Sequence, residues 1–241
     1  MPREQMNPQQ VAAYVHLDGR EVVKLASRGQ IPCRKVRGEY VFLKCDVDHW
    51  IESHMHTLEK DRLAGIERGV SAHHGYDHAD MVIGPLIPEA GLAVPLHART
   101  RGSVLRGLVD LASEAELVYG KEELLEEVVN REELCSTALW PGVALPHPRH
   151  PVPYDIASSF IVGGLTGNGI PFGCPDGSLT RLFFLICCKD ERTHLHVLAR
   201  LAQMLHQPDA VERMLGADSA EQLQSVLQEL EATLVARAGK T

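Results

Sequence analysis

The chain has 241 residues, 44% of them hydrophobic and 23% charged, a composition that suits one large or two modest cores and excludes disordered and fibrous classes. The formal net charge of −8 excludes a protein that wraps nucleic acid along its whole length, because phosphate contacts draw mainly on Lys and Arg. No run of about 18 apolar residues is available to span a bilayer and the polar start MPREQMNPQQ lacks a signal-like apolar stretch, so no membrane insertion and a cytoplasmic location are expected.

The charge is uneven. Residues 1–57 hold 8 Lys and Arg against 7 Asp and Glu, which leaves 16 against 25 for the other 184 residues. Within the first part, residues 20–44 carry seven basic side chains (Arg20, Lys24, Arg28, Arg34, Lys35, Arg37 and Lys44) and two acidic ones, a local basic patch on an acidic protein. The six cysteines (Cys33, Cys45, Cys135, Cys174, Cys187 and Cys188) form no C-x-x-C pair, so reduced thiols are expected, with Cys187 and Cys188 packing in a strand.

Asn7 before Pro8 reads as an N-cap, and Val11, Tyr14 and Val15 follow at helical spacing. Asp18 with Glu21 resembles a capping box for a second helix, whose apolar stripe is Val22, Leu25 and Ala26 and which stops at Arg28-Gly29. Residues 31–36 and 39–43 are strand-like runs around Arg37-Gly38, a hairpin signal, and Asp46 is expected to open a third helix with Val47, Trp50 and Ile51 on one side. Helix, short turn, helix, basic hairpin and helix make a winged helix-turn-helix pattern. On these residues the head resembles the excisionase or MerR-like DNA-binding family over about 50 residues. Arg20, Lys24 and Arg28, at i, i+4 and i+8, would line the groove-facing helix, while Arg34, Lys35 and Arg37 would reach phosphates from the wing. The competing reading is a solvated basic face on a docking module.

Residues 58–79 are polar, contain three glycines and lack sustained periodicity, so they read as a linker between domains at 1–57 and 80–241. His74 and His78 have i, i+4 spacing, but no nearby Cys or Glu completes a ligand set. With His54, His56 and His73 they read as an exposed histidine-rich segment, and no metal site is expected.

The rest of the chain alternates strand-like and helical stretches. Residues 92–96 are a short apolar run, Ser103 is expected to cap a helix bearing Val104, Leu108, Leu111, Ala112 and Ala115, and Leu124, Leu125 and Val128 mark another. Strand candidates are residues 143–145, 156–162 and 179–188; the last is apolar on both faces, as a central strand would be. A helix carrying His194, Val197, Leu198, Leu201, Ala202 and Leu205 follows, and Ser219 with Gln222 opens a final one through Leu223, Val226, Leu227, Leu230 and Leu234. The expected fold class is α/β: a mixed β-sheet flanked by helices, with a small winged helix-turn-helix domain at the N-terminus.

Two histidines stand out. His147 lies in Pro146-His147-Pro148-Arg149 just after a short strand, where neighbours of fixed φ set its position. His194 sits in the first turn of its helix on the stripe of core-facing leucines. A neutral imidazole is a competent nucleophile, and a second imidazole or a guanidinium nearby would stabilise a phosphoryl group in transfer. Taken singly, each is more often a structural residue. His196 is expected to point away from the cleft, and His97 and His150 to lie on the surface.

The order and separation of four stretches change this. They are residues 130–137, residues 142–147, residues 169–172 with Pro175-Asp176-Gly177, and residues 193–198. On them the body resembles the enzyme IIA domain of the sugar phosphotransferase system, of the fructose/mannitol and nitrogen-regulatory type, over roughly 150 residues. The resemblance implies reversible phosphoryl transfer onto His147, with His194 as second active-site histidine and Arg131 as the arginine that approaches the phosphoryl group. It also implies supporting roles for Ser136 and Thr137, no metal or organic cofactor, and a small phosphocarrier protein as donor. The chain departs from the family pattern in two places. Pro148 replaces a small residue and removes a backbone N–H that could donate to a phosphoryl oxygen, a loss that Arg149 could offset. Residues 138–141 (ALWP) replace a glycine-rich turn with a bulkier one.

Three functions follow as expectations. The first is a regulatory phosphotransferase whose DNA-binding head responds to phosphorylation of the body; the second is a transport enzyme IIA passing phosphate to an enzyme IIB; the third is a binding module that has lost transfer. A homodimer accords with a DNA-binding head, although no interface is legible.

Overall fold

The computed structural model describes residues 4–15, 17–54, 63–68, 82–138 and 141–238. By contact density the chain divides into a unit at residues 1–78 and a unit at residues 79–241.

In the first unit, a two-residue strand β1 (Gln5–Met6) precedes α1 (Pro8–Tyr14), which Asn7 and Gln10 close with a reciprocal capping box. Helix α2 (Gly19–Ser27) starts from Asp18, whose side chain accepts from the Arg20 N–H at 2.7 Å. The bond reaches one residue short of the capping-box position inferred from Glu21. Gly29, at φ +66°, carries the chain out of α2. Strands β2 (Arg34–Val36) and β3 (Glu39–Leu43) pair antiparallel across a two-residue turn, Arg37 and Gly38, both at positive φ (52° and 92°) as the tightest hairpins require. β1 pairs with the other edge of β3, an addition too short to show in the sequence pattern.

Helix α3 (Lys44–His54) begins at Lys44, two residues before the expected Asp46, because the Lys44 amide bonds back to the Glu4 carbonyl and its ammonium pairs with Asp48 at 2.8 Å. Lys44 is therefore buried and leaves the basic surface patch. Val11, Val22, Ile31, Phe42, Val47 and Ile51 are among the buried residues of this unit. Residues 63–68 (α4) are helical within the stretch read as linker, since Leu63 and Ile66 bury the short stripe that polarity had masked. His56, His73, His74 and His78 lie outside the described residues.

The second unit begins with α5 (Ile83–Leu86) and β4 (Leu92–Ala93). Helix α6 (Arg101–Glu114) is capped by Thr100, with Ser103 as the reciprocal partner three residues in. Ser103, expected as the N-cap, is thus the N3 partner, and Thr100 is the cap. After α7 (Lys121–Leu134) come β5 (Val143–Ala144), β6 (Phe160–Ile170) and β7 (Thr180–Cys187), then α8 (Glu191–Leu205), α9 (Ala210–Leu215) and α10 (Ala220–Ala238). β6 starts at Phe160 rather than Ile156, which instead makes an isolated bridge to Val118.

The sheet has the order β4-β6-β7-β5 and is mixed: β6 and β7 run antiparallel, while β4 joins β6 and β5 joins β7 in parallel. Phe183, Leu185 and Cys187 of β7, with Phe160 and Val162 of β6, pack with Val104, Leu108, Val109, Leu124 and Val128 from α6 and α7. The alternate residues Leu182, Phe184 and Ile186 face the other way and are equally buried, and α8 and α9 contact β7. The α/β expectation holds. Among the described residues no helix is long and apolar enough to cross a membrane.

Candidate functional site

β5 and β7 are parallel, so their C-terminal ends meet at one edge of the sheet, which is where open α/β sheets gather functional groups. The chain leaving β5 stays beside β7, with the Ile186 N–H donating to the Pro146 carbonyl at 2.9 Å, and the next residue is His147. β7 ends at Cys187 and α8 begins four residues later from Asp190, whose side chain accepts from the Thr193 N–H at 2.9 Å. His194 lies in this first turn. The two imidazole rings, 47 positions apart, are brought to a centroid separation of 4.9 Å with a 56° tilt.

His147 Nδ1 lies 2.8 Å from the Leu145 carbonyl oxygen. A carbonyl can only accept, so Nδ1 carries the proton of the neutral ring and the lone pair is on Nε2. The Leu145 N–H in turn donates to the Thr137 carbonyl at 3.2 Å, which ties the histidine loop to the end of α7. There Arg131, buried in the last turn, donates from Nη1 to the Cys135 carbonyl at 2.9 Å. Ser136 Oγ donates to the Phe172 carbonyl at 2.9 Å and Thr137 Oγ1 to Glu132 Oε2 at 2.6 Å, so both hydroxyl protons are directed into the scaffold.

Arg149 is exposed on the loop beyond Pro148 and makes no hydrogen bond or ion pair among the described residues. His194 is half-buried, less enclosed than the leucines of its stripe, and His196 is buried; His97 and His150 are exposed as expected. Leu139 and Trp140 of the altered turn lie outside the described residues.

In the first unit, Arg20, Lys24 and Arg28 are exposed along α2 and its C-cap, and Arg34, Lys35 and Arg37 are exposed on the hairpin. Lys35 sits 5.4 Å from the ring centroid of Tyr40, its cross-strand neighbour, which holds its charge up on the wing. Six of the seven basic residues thus form a surface, the seventh being Lys44.

The family described as "Phosphoenolpyruvate-dependent sugar phosphotransferase system, EIIA 2" matches residues 86–230, three-fifths of the chain. The chain belongs to this family. Residues 6–55, ahead of the EIIA unit, match a helix-turn-helix domain. Among relatives, the nitrogen regulatory protein of Bradyrhizobium diazoefficiens is 30% identical over 148 residues, 58% of this chain and 95% of that protein. The fructose-specific EIIABC component of Bacillus subtilis is 24% identical over 61% of this chain, which spans only 23% of that protein. The crystal structure of nitrogen regulatory protein IIA-Ntr from Neisseria meningitidis superposes with a TM-score of 0.54 at 26% identity, covering 60% of this chain and 97% of that one. Enzyme IIA-mannitol of Escherichia coli shares the fold, with a TM-score of 0.51 at 20% identity over 58% of this chain and 97% of that one.

Sequence reading missed two side chains that fix the backbone around these residues: Asp190, which caps the helix bearing His194, and Glu132, which binds Thr137. Asp190 carried a signal, an acidic residue three before Thr193. Glu132 is one of six glutamates in α7, and nothing in their pattern singles it out.

Proposed function

We propose that the EIIA unit is a phosphoacceptor and that the helix-turn-helix unit binds DNA, making the whole a phosphotransferase-linked transcriptional regulator. The reading is carried by one observation: the His147 and His194 rings meet at the sheet edge, with the His147 lone pair left on Nε2 by the Leu145 carbonyl.

The step is a displacement at phosphorus. The Nε2 lone pair of His147 forms the new N–P bond as the bond to the phosphohistidine of a phosphocarrier protein breaks and its electron pair returns to the donor nitrogen. The proton stays on Nδ1, donated to the Leu145 carbonyl throughout, so no general base is needed. The passing PO₃ group bears negative charge. His194 at the first turn of α8, the positive end of that helix, and Arg131 at the end of α7 are the groups that stabilise it.

The test is incubation of the full chain with the phosphorylated carrier, followed by intact mass and site mapping. Wild type gains one phosphoryl group at His147 and His147→Ala gains none; equal label on both overturns the assignment. In vitro selection of DNA by the full chain tests the head. Binding that Arg20→Ala and Arg34→Ala weaken supports regulation, whereas rapid transfer to an enzyme IIB without DNA binding would make the chain a transport component.

A further inference from the structure

Two neighbours at the end of α7 point in different directions. Arg131 aims at the Cys135 carbonyl, while Glu132 turns inward and is 1% exposed. Glu132 Oε1 accepts from the Thr137 N–H and from Arg101 Nη2, each at 3.0 Å, and Oε2 accepts from Thr137 Oγ1 at 2.6 Å. Arg101, from the first turn of α6, also donates to the Glu132 carbonyl, and its guanidinium carbon lies 5.5 Å from the Phe172 ring centroid. The Phe172 carbonyl in turn holds Ser136 Oγ, which accepts from the Ala138 N–H at 3.2 Å. The turn at residues 135–138 is thus held from α7 and from the loop after β6, and α6 in turn holds Glu132 through Arg101.

Both halves of the proposed phosphoryl site are attached to this turn. Its Cys135 carbonyl takes the Arg131 guanidinium. Its Thr137 carbonyl takes the Leu145 N–H, and the Leu145 carbonyl orients His147.

We propose that Glu132 is a positioning residue for phosphoryl transfer: through Thr137 it fixes the turn that aims Arg131 and seats His147. The proposal rests on the reading of His147 as phosphoacceptor. Glu132 touches neither phosphoryl group nor donor; it sets the distance between the groups that do. Removing it lets the turn shift by a fraction of an ångström to an ångström, a displacement that costs transfer on the order of a hundredfold when it separates reacting and stabilising groups.

Glu132→Gln keeps the side chain's size but leaves only one acceptor oxygen for the two Thr137 donors. Thr137→Val removes the hydroxyl from the other side. Single-turnover transfer from the phosphorylated carrier, measured against carrier concentration, is expected to show a maximal rate at least about tenfold lower in each variant, with the half-saturating concentration unchanged. The double variant should be no slower than the slower single one, and Thr137→Ser should be faster than Thr137→Val. A folded Glu132→Gln or Thr137→Val protein with the wild-type maximal rate overturns the proposal. So does a defect confined to half-saturation, which would mark a docking role. If Glu132→Gln does not fold, the comparison of Thr137→Val with Thr137→Ser decides. If wild type takes no phosphate at His147, the functional reading falls by itself. The ¹⁵N shifts of the His147 ring then remain a separate test of the positioning claim: loss of the Nδ1–H signature in Glu132→Gln supports it, and an unchanged ring overturns it.

Discussion

What His147 can do follows from where its Nδ1 proton goes. A ring whose Nδ1–H is held by the Leu145 carbonyl presents a single nucleophilic nitrogen, and His194 stands beside it at a ring separation of 4.9 Å. The roles should separate in variants: His147→Ala abolishes phosphoryl uptake, while His194→Ala still accepts label but more slowly, on the order of a hundredfold, having lost one group that stabilises the charge in transit. Rapid-quench transfer kinetics distinguish the two. The cysteines differ in a similarly local way. Cys135 is exposed at the end of α7, whereas Cys187 is enclosed in β7 and burial pushes its thiol well up. Native-state alkylation followed by mass mapping should therefore label Cys135 first and reach Cys187 and Cys188 only on unfolding. In the turn after Phe172, the Ser178 hydroxyl and N–H beside Asp176 lower its carboxyl to about 2. Whatever this contact adds to stability is present above the ordinary carboxylate range and is lost as pH falls through about 2, so an NMR titration of Asp176 should show no protonation at pH 4. The histidines stood out in the sequence because they fall within stretches that resemble the EIIA family; proline neighbours and helix position alone left each more often a structural residue. Glu132 did not stand out, because its significance lies in Thr137 and Arg101, and only the folded chain brings Arg101 to it.

At the scale of elements, the sheet edge is built by close approach. A Cβ at Gly164 would lie 2.6 Å from Leu96 Cδ2 and 2.8 Å from Leu96 Cβ, and the Leu96 N–H is bonded to the Leu165 carbonyl at 2.8 Å, so that segment cannot swing aside. Gly164→Ala should therefore overpack the junction of β4, β6 and the segment before α6, at a cost of about 1–3 kcal/mol, read as a lower denaturant midpoint with an unchanged slope. Long elements with a full apolar stripe, α6, α8, α10 and β7, could be read from the sequence because each repeats its period several times. β1, two residues, and α9, six residues, carry too few repeats to register, and pairing with β3 and packing on β7 create them, whereas β4, two residues paired with β6, showed only as the short apolar run at 92–96. The Arg37-Gly38 turn was legible despite its length. A glycine between two strand-like runs has a direct backbone meaning, borne out by φ of 92° at Gly38.

For the whole molecule, the notable feature is how the EIIA unit closes on itself. Glu231 of α10 is fully buried, and its carboxylate accepts from the N–H groups of Val82, Ile83 and Gly84 at 2.6, 2.7 and 2.9 Å, while Arg200 of α8 approaches Oε1 at 3.3 Å. One side chain near the end of the unit thus satisfies the N–H donors at the start of α5, which no intrahelical carbonyl can reach, across about 150 positions that no sequence pattern connects. The period in α10 suggested only the leucine stripe, and Glu231, next to Leu230, was indistinguishable from a solvated charge. Replacing Glu231 by Leu strips the buried guanidinium of Arg200 of a counter-charge and leaves three backbone donors without that acceptor, so a loss of about 3–5 kcal/mol is expected. Replacing Arg200 by Met as well should recover part of it, because the uncompensated charge is gone while the α5 donors remain exposed to the loss. Urea unfolding of the wild type, both single variants and the double variant gives the coupling energy. Strictly additive losses would mean that Arg200 and Glu231 act independently and that the clamp is held by the backbone donors alone.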